Sequence, residues 1–537
     1  MRTRPVLQLF LIFLMVTGCA QATPTANPTD KPTQHVPVTA PLATASLEMP
    51  AARPTQTLPV ESPTASSLPT GTASPAPTQV PATPTPSGRI GAPGLGDSLY
   101  PNFGNGGYDV QHYTLDLNVR RVSTGDLHGV TTIEARATQN LDAFNLDFIG
   151  FEIAGITVNG NEAAFTRDGQ ELTITPSKAL EAGDDFTVVV TYDGRPQALR
   201  SAALPVMTGW VIGDGESYVM SEPDGAANFF PANDHPLDKA TYTLRVTVPN
   251  PFEVAANGVL LEASNNGTNT LHVFEVNQPM ASYLVTINIS DFDVETLEGP
   301  NGLQIRNYYA VGLPPEVSQA FAQQDEMLAF FSDIFGPYPF DVYGSVVMNT
   351  QIGTALEAQT LSIYGSDMIR LDDLTYTESV VAHEMSHQWF GDSVSVADWR
   401  DIWLNEGFAT YAEGLWLEHN EGRAALDEWV REEYAFVVDL QSYFSPPGEP
   451  PASDLFNAGV YDWGALTLHA LRLEVGDEAF FQTLRTYFGR YKNGNASTDD
   501  FIAVAEEVSG KDLGAFFDGW LYSGDIPPIP ALGLGPE

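Results

Sequence analysis

Cys19 is the only cysteine in the 537-residue chain, so no intrachain disulfide can form. Basic side chains are scarce as well: 24 Lys and Arg stand against 68 Asp and Glu. Arg2 and Arg4 make the extreme N-terminus positive, and Lys31, Arg53 and Arg89 balance Asp30, Glu48 and Glu61. Residues 96–537 therefore hold 19 basic and 65 acidic side chains, a net charge of −46. Like-charge repulsion excludes a nucleic-acid partner for such a surface. Its plainest use is solubility, although an acidic cleft would also draw in a cationic end of a substrate. Aromatic residues are missing from Ala20 to Ser98, and Ala20 to Leu95 holds 16 of the 40 prolines. A segment of that kind cannot bury enough apolar surface to offset its ordering entropy. Residues 20–98 are read as a disordered linker with a reach on the order of 100 to 200 Å at ~3 Å per residue.

Long apolar runs are missing too. Val6 to Val16 is nearly all apolar but falls short of the roughly 20 residues that a membrane span needs. Behind Arg2 and Arg4 it has the layout of an export signal. Val16-Thr17-Gly18-Cys19 resembles a bacterial lipobox, which implies cleavage before Cys19 and a lipid on its sulfur. The expectation is an extracytoplasmic protein, lipid-anchored to a bacterial membrane through Cys19, with 1–19 as signal peptide.

The rest of the chain is patterned for folding. From about Tyr100 to Pro300 the apolar period is two: Tyr113, Leu115, Leu117, Val119, then Tyr242, Leu244, Val246, Val248, then Tyr283, Val285, Ile287, Ile289. Asn159-Gly160 and Asn257-Gly258 are turn signals. Residues 99–300 are expected to form an antiparallel β-sandwich-like domain. From Pro315 the texture becomes helical, starting with Glu316 to Phe335 and stopping at Gly336-Pro337. Short strands are expected at Tyr343 to Met348 and Thr360 to Tyr364, then helices at Ala424 to Gln441, Trp463 to Glu474, Ala479 to Tyr491 and Asp499 to Val508. The fold class is α+β, with a mostly helical second domain over 301–527 and a tail at 528–537.

The chemistry is concentrated in that second domain. His383 and His387 lie four apart, so on a helix both imidazoles project from one face and reach one ion. A catalytic zinc takes three protein ligands and leaves one position open. Glu406, in Trp403-Leu404-Asn405-Glu406-Gly407-Phe408-Ala409, is the expected third, carried by a return helix after a loop through Gly391 to Asp398. Glu384 would then accept a proton from water activated beside the metal and pass it to a leaving amine. A phenol suits the remaining need, a donor to the oxyanion, but spacing does not select one among 20 tyrosines.

Taken together these residues resemble the aminopeptidase N family of zinc metallopeptidases, the gluzincins, across essentially all of 100–525. Asp109-Val110-Gln111-His112-Tyr113 is similar to the family's opening strand, and Phe230-Pro231-Ala232-Asn233-Asp234-His235-Pro236-Leu237-Asp238-Lys239-Ala240 to its β-domain signature. The stretch Phe331 to Phe340 resembles the segment before the metal helix. His383-Glu384-Met385-Ser386-His387 and the Glu406 segment are close to its zinc motifs. The resemblance implies a thermolysin-like catalytic domain, one Zn2+ and peptide substrates with a free N-terminus. The family's exopeptidase signature, Gly-Ala-Met-Glu-Asn, falls on Thr354-Ala355-Leu356-Glu357-Ala358. This assigns the substrate's ammonium to Glu357. A second ammonium contact is implied at Glu222, in Ser221-Glu222-Pro223-Asp224-Gly225. The family's oxyanion tyrosine falls on Tyr461.

Departures from the pattern are Ala358, which lacks an amide side chain, and Trp463, where a basic residue is usual. Phe516-Phe517-Asp518-Gly519-Trp520-Leu521-Tyr522 resembles the close of the catalytic domain. The chain thus resembles a short form without the family's C-terminal helical domain, which implies a more open cleft. The expected activity is that of a zinc metalloaminopeptidase. Its rivals are a thermolysin-like endopeptidase, which has no amine-binding carboxylate, and an anchored binding module without turnover.

Overall fold

The computed structural model describes residues 89–535, apart from 202 and 214. The signal, Cys19 and most of the linker lie outside these residues. The period-two segments become an eight-stranded sheet. Its strands run in the order Val259–Asn265, Asn269–Met280, Ala240–Pro249, Tyr108–Arg121, Asp126–Ala137, Asp185–Gly194, Glu152–Val158 and Asn161–Glu162. Alternate residues such as Leu115, Leu117, Leu244 and Val246 are fully buried, as the pattern requires. A five-stranded sheet (Glu253–Ala256, Ile287–Ser290, Ser217–Met220, Met207–Ile212, Leu199–Arg200) and a three-stranded one (Phe144–Asp147, Glu171–Thr175, Ala164–Asp168) complete the β part.

One pairing departs from an all-antiparallel design. Tyr108–Arg121 and Ala240–Pro249 run parallel, with Tyr113 opposite Tyr242 and their rings stacked at 5.1 Å. A parallel partner needs a long crossover, and the intervening chain supplies one. Asn159-Gly160 does close a two-residue hairpin, with both φ angles positive. Asn257-Gly258 does not: the strands on either side of it belong to different sheets. Tyr283 to Ile289 is not one strand either. Ser282–Leu284 is a 3-10 turn and only Ile287–Ser290 pairs. Residues 280–290 are buried on both faces, so period two does not report sheet geometry there.

A mixed five-stranded sheet follows: Phe292–Glu298, Gln304–Ala310, Val342–Val347, Ser362–Tyr364 and Ala355–Leu356. Its first hairpin spans position 300. The helix expected over Glu316 to Phe335 is divided into a 3-10 segment, Pro315–Phe321, and α1, Gln324–Phe335. Buried Gln324 accounts for the break, accepting from Asn307 Nδ2 and donating to Ser345 Oγ, both at 2.8 Å. The remaining helices are α2 (Leu374–Ser386), α3 (Trp403–Glu421), α4 (Arg423–Leu440), α5 (Gly464–Val475), α6 (Asp477–Tyr491), α7 (Thr498–Ser509) and α8 (Gly514–Leu521). Ser497 caps α7 in a reciprocal box with Asp500.

The β signature segment joins the two parts. Asn233 bonds the backbone of Asn105 through both ends of its amide, while Lys239 Nζ donates to the carbonyls of Asp392 (2.8 Å) and Ser393 (3.0 Å), just past the end of α2. Asp97 accepts from the backbone N–H of Trp399 at 2.8 Å and so pins the turn that leads into α3.

Candidate metal centre

Asp373 caps α2 by accepting from the N–H of Tyr376 at 3.2 Å. From Val380 to Ser386 this helix is buried on every side, polar residues included. The chain turns at Gly391, runs through the strand Val394–Val396 and returns as α3. That return puts Glu406 against the imidazoles. His383 Nε2 and His387 Nε2 lie 3.4 and 3.5 Å from Glu406 Oε2.

The spacing fits a tetrahedral zinc. Ligand atoms about 2.0–2.1 Å from such an ion stand roughly 3.3–3.4 Å apart. The hydrogen bonding fits as well. His383 Nδ1 donates to Glu413 Oε1 at 2.9 Å and His387 Nδ1 to the carbonyl of Phe390 at 3.1 Å, which leaves both Nε2 lone pairs facing the common point. Burial disfavours a charged Glu406, but His387 and His383, when protonated, more than offset it and hold its carboxyl at about 2.

Two carboxylates close the far side. Glu222, on the segment after the strand Ser217–Met220, and Glu357, just after Ala355–Leu356, each place an oxygen within 4.8 Å of the others and of Glu406. Glu222 Oε1 and Glu357 Oε1 are buried without hydrogen-bond partners. Burial, then Glu357 and Glu406, raise the Glu222 carboxyl well above its usual range. Burial likewise raises Glu357, with His387 opposing and Glu406 adding. Unpaired carboxylates crowded in a dry site create demand for a cation with several donors.

Glu384 follows His383 on α2, and burial pushes its carboxyl up to about 8 against the pull of both imidazoles. Tyr461 sits in a π-helical turn, Gly459–Trp463, with its ring stacked over that of His383 at 6.0 Å. Burial and the charges of Glu406 and Glu222 keep its phenol protonated, so it stays a donor. Ala358 and Trp463 are both fully buried.

Several supporting residues were not found from the sequence. Glu413 is seven positions after Glu406, on the same face of α3, and that spacing was the available signal. Gln388 Nε2 donates to the carbonyl of Glu357 and its Oε1 accepts from Thr360 N–H, both at 2.8 Å. Asn257 Nδ2 donates to the carbonyl of Gln359 at 2.7 Å. Thus the segment bearing Glu357 is clamped from the metal helix on one side and from the β part on the other. No local pattern marks either clamp.

Comparison with known proteins agrees with this geometry. Residues 109–284 match the Peptidase M1 N-terminal domain and residues 319–520 the Peptidase family M1 domain. Aminopeptidase N of Streptomyces lividans is 26% identical over 450 residues, covering 78% of this chain and 50% of that protein. Aminopeptidase M1-B of Oryza sativa subsp. japonica is 27% identical over 422 residues, covering 72% of this chain and 47% of its own length. The chain spans about half the length of these relatives. The crystal structure of the M1 zinc metallopeptidase from Deinococcus radiodurans superposes with a TM-score of 0.75 at 33% identity, covering 82% of this chain and 100% of that one. A mutant of that enzyme has been solved with a Tyr-Ser-Ala substrate.

Proposed function

The chain belongs to the M1 family of zinc metallopeptidases, and from that premise we propose that it removes N-terminal residues from peptides by hydrolysis. The observation that carries the reading is the pair Glu222 and Glu357, buried, unpaired and within 4.8 Å of Glu406. Two carboxylates facing one point suit the three donors of a peptide's ammonium group. Gripping the terminus beside the metal ligands fixes the first peptide bond as the one cut.

His383, His387 and Glu406 would hold a single Zn2+, which would supply Lewis acidity to polarise the scissile carbonyl and to acidify water. Glu384 accepts the proton of the attacking water and hands it to the leaving amine. Its place on α2 beside His383 puts its carboxylate next to the ligand cluster, where it can take and then give a proton. Tyr461 donates its hydroxyl to the carbonyl oxygen as negative charge develops there. The arrangement favours this over an endopeptidase, for which two buried carboxylates beside the metal would be a liability to an uncharged peptide backbone. The test is a peptide and its N-acetylated twin: the free form is expected to be cleaved from its first residue. Preferential cleavage of the blocked form would overturn the reading, and no cleavage of either by zinc-loaded protein would leave a binding module.

The same proposal includes anchoring. Among the described residues no helix is long and apolar enough to cross a membrane, and the lipobox-like Val16 to Cys19 supplies the alternative. Two signals are usually needed for stable anchoring, and multiple acyl chains on a mature N-terminal cysteine would meet that need. Cys19→Ala is expected to release the enzyme from the membrane fraction of a bacterial host; retention would refute lipid anchoring.

A further inference from the structure

Next to Glu413, the partner of His383, residues of α2, α3 and α4 line a cavity of about 530 Å³. That is the size range of small-ligand pockets. Six carboxylates line it, those of Asp373, Glu378, Glu413, Glu421, Glu428 and Glu432; Asp373 already accepts from the N–H of Tyr376, Glu378 from Gln323 Nε2 at 3.0 Å, and Glu428 pairs with Arg431 at 3.3 Å. Trp416 and Trp429 form apolar walls. Two buried polar atoms at its edge lack partners. Trp416, 3% exposed, has an unsatisfied Nε1 donor, and Glu413, 5% exposed, has an unsatisfied Oε2. The neighbouring Ser379 hydroxyl is already committed to the carbonyl of Tyr376 at 2.8 Å.

The donor set narrows the ligand. A metal ion needs oxygens that converge, and among the described residues only two groups of metal-ligating side chains do so, both at the centre already described. Dispersed carboxylates with indole walls suit an organic cation, whose charge is spread and whose stem is apolar. The indole N–H additionally needs an acceptor, which a cation alone does not provide. A peptide residue with a basic side chain supplies both, the side chain to the acids and the backbone carbonyl to Trp416.

We propose that this cavity is a second binding site, for a lysine or arginine residue of a peptide. The inference rests on the peptidase reading only in taking peptides as the molecules that reach the chain. Its test is therefore binding, not turnover. The full-length Glu384→Gln protein is titrated with N-acetyl-arginine amide, N-acetyl-lysine amide and N-acetyl-norleucine amide, followed by tryptophan fluorescence and calorimetry. These probes have no free N-terminus, so failure of the aminopeptidase reading would not alter the result. Saturable binding of the two basic probes and none of norleucine is expected. A Glu378→Gln/Glu432→Gln double variant should weaken it about tenfold, as loss of charge-assisted hydrogen bonds does. Trp416→Phe, which keeps the ring and removes the donor, should weaken it independently of any effect of the acids on folding. Glu357→Gln should leave it unchanged. Equal binding of norleucine, no saturable binding, or loss of binding in Glu357→Gln would each overturn the proposal.

Discussion

Gly407 and Gly464 meet backbone to backbone where α3 crosses the start of α5. A Cβ on Gly407 would lie 2.9 Å from both Cα and the carbonyl carbon of Gly464, and one on Gly464 would lie 3.0 Å from Gly407 Cα. Glu406 precedes the first glycine, and Tyr461 is three residues before the second. The contact therefore sets the distance between the carboxylate proposed to hold the metal and the phenol proposed to serve the oxyanion.

Gly407→Ala should separate these helices. Alanine gains about 1 kcal/mol of helix propensity, but overpacking against backbone costs about 1–3 kcal/mol, and backbone cannot rotate away. A lower melting temperature is expected, together with reduced kcat at saturating zinc. Unchanged activity would show that the crossing has slack.

Glu413→Gln keeps the shape at His383 Nδ1 but removes the charge that orients and enriches the imidazole. Zinc affinity should fall about 10- to 100-fold, measured by competition with a chromophoric chelator. One zinc per chain should bind in the native protein. A second equivalent at Glu222, Glu357 and Glu406 would contradict the assignment of that cluster to an ammonium group.

Glu384→Gln and Tyr461→Phe separate proton transfer from oxyanion support. The first should lower kcat by about 10²- to 10⁴-fold with zinc retained, and the second should cost about 3 kcal/mol of transition-state stabilisation. Glu357→Gln should act mainly on KM for free-amine substrates. A Tyr461→Phe enzyme as active as the parent would remove the phenol from the mechanism.

Stability should depend on pH through the β signature. Burial, helped in Asp147 by Glu171 and in Asp234 by Asp147, raises Asp147, Asp234 and Asp238 to about 7. Between about 4, the unfolded value, and 7, the folded state keeps protons that the unfolded chain releases. Their contribution is thus complete below about 4 and is lost as pH rises through 7. Buried Lys239, lowered to about 7 by desolvation, works in the higher window and favours folding as pH rises from 7 toward 10. The melting temperature should rise when pH is taken from 7.5 to 5.5, and Asp234→Asn should make that slope shallower. A flat profile would mean these carboxyls are ionised in the folded protein.

The convergence of His383, His387 and Glu406 was legible because helix geometry is local. An i, i+4 histidine pair has only one way to share a face, and the return of Glu406 needs only a loop of suitable length. Alternation marked the strands for the same reason, except where both faces are covered, as at Tyr283 to Ile289. The break before Gln324 was hidden because its cause, bonds to Asn307 and Ser345, comes from other strands.

By itself the sequence determined the candidate metal-ligating set, the two kinds of folded segment and their order along the chain. Tertiary structure alone decided that Asn257 and Gln388 would clamp the segment of Glu357 from opposite sides. It also decided the parallel pairing of Tyr113 with Tyr242 and the crossing at Gly407 and Gly464. Such features depend on contacts between residues far apart in the chain, where packing and burial choose among partners that local propensity leaves equivalent.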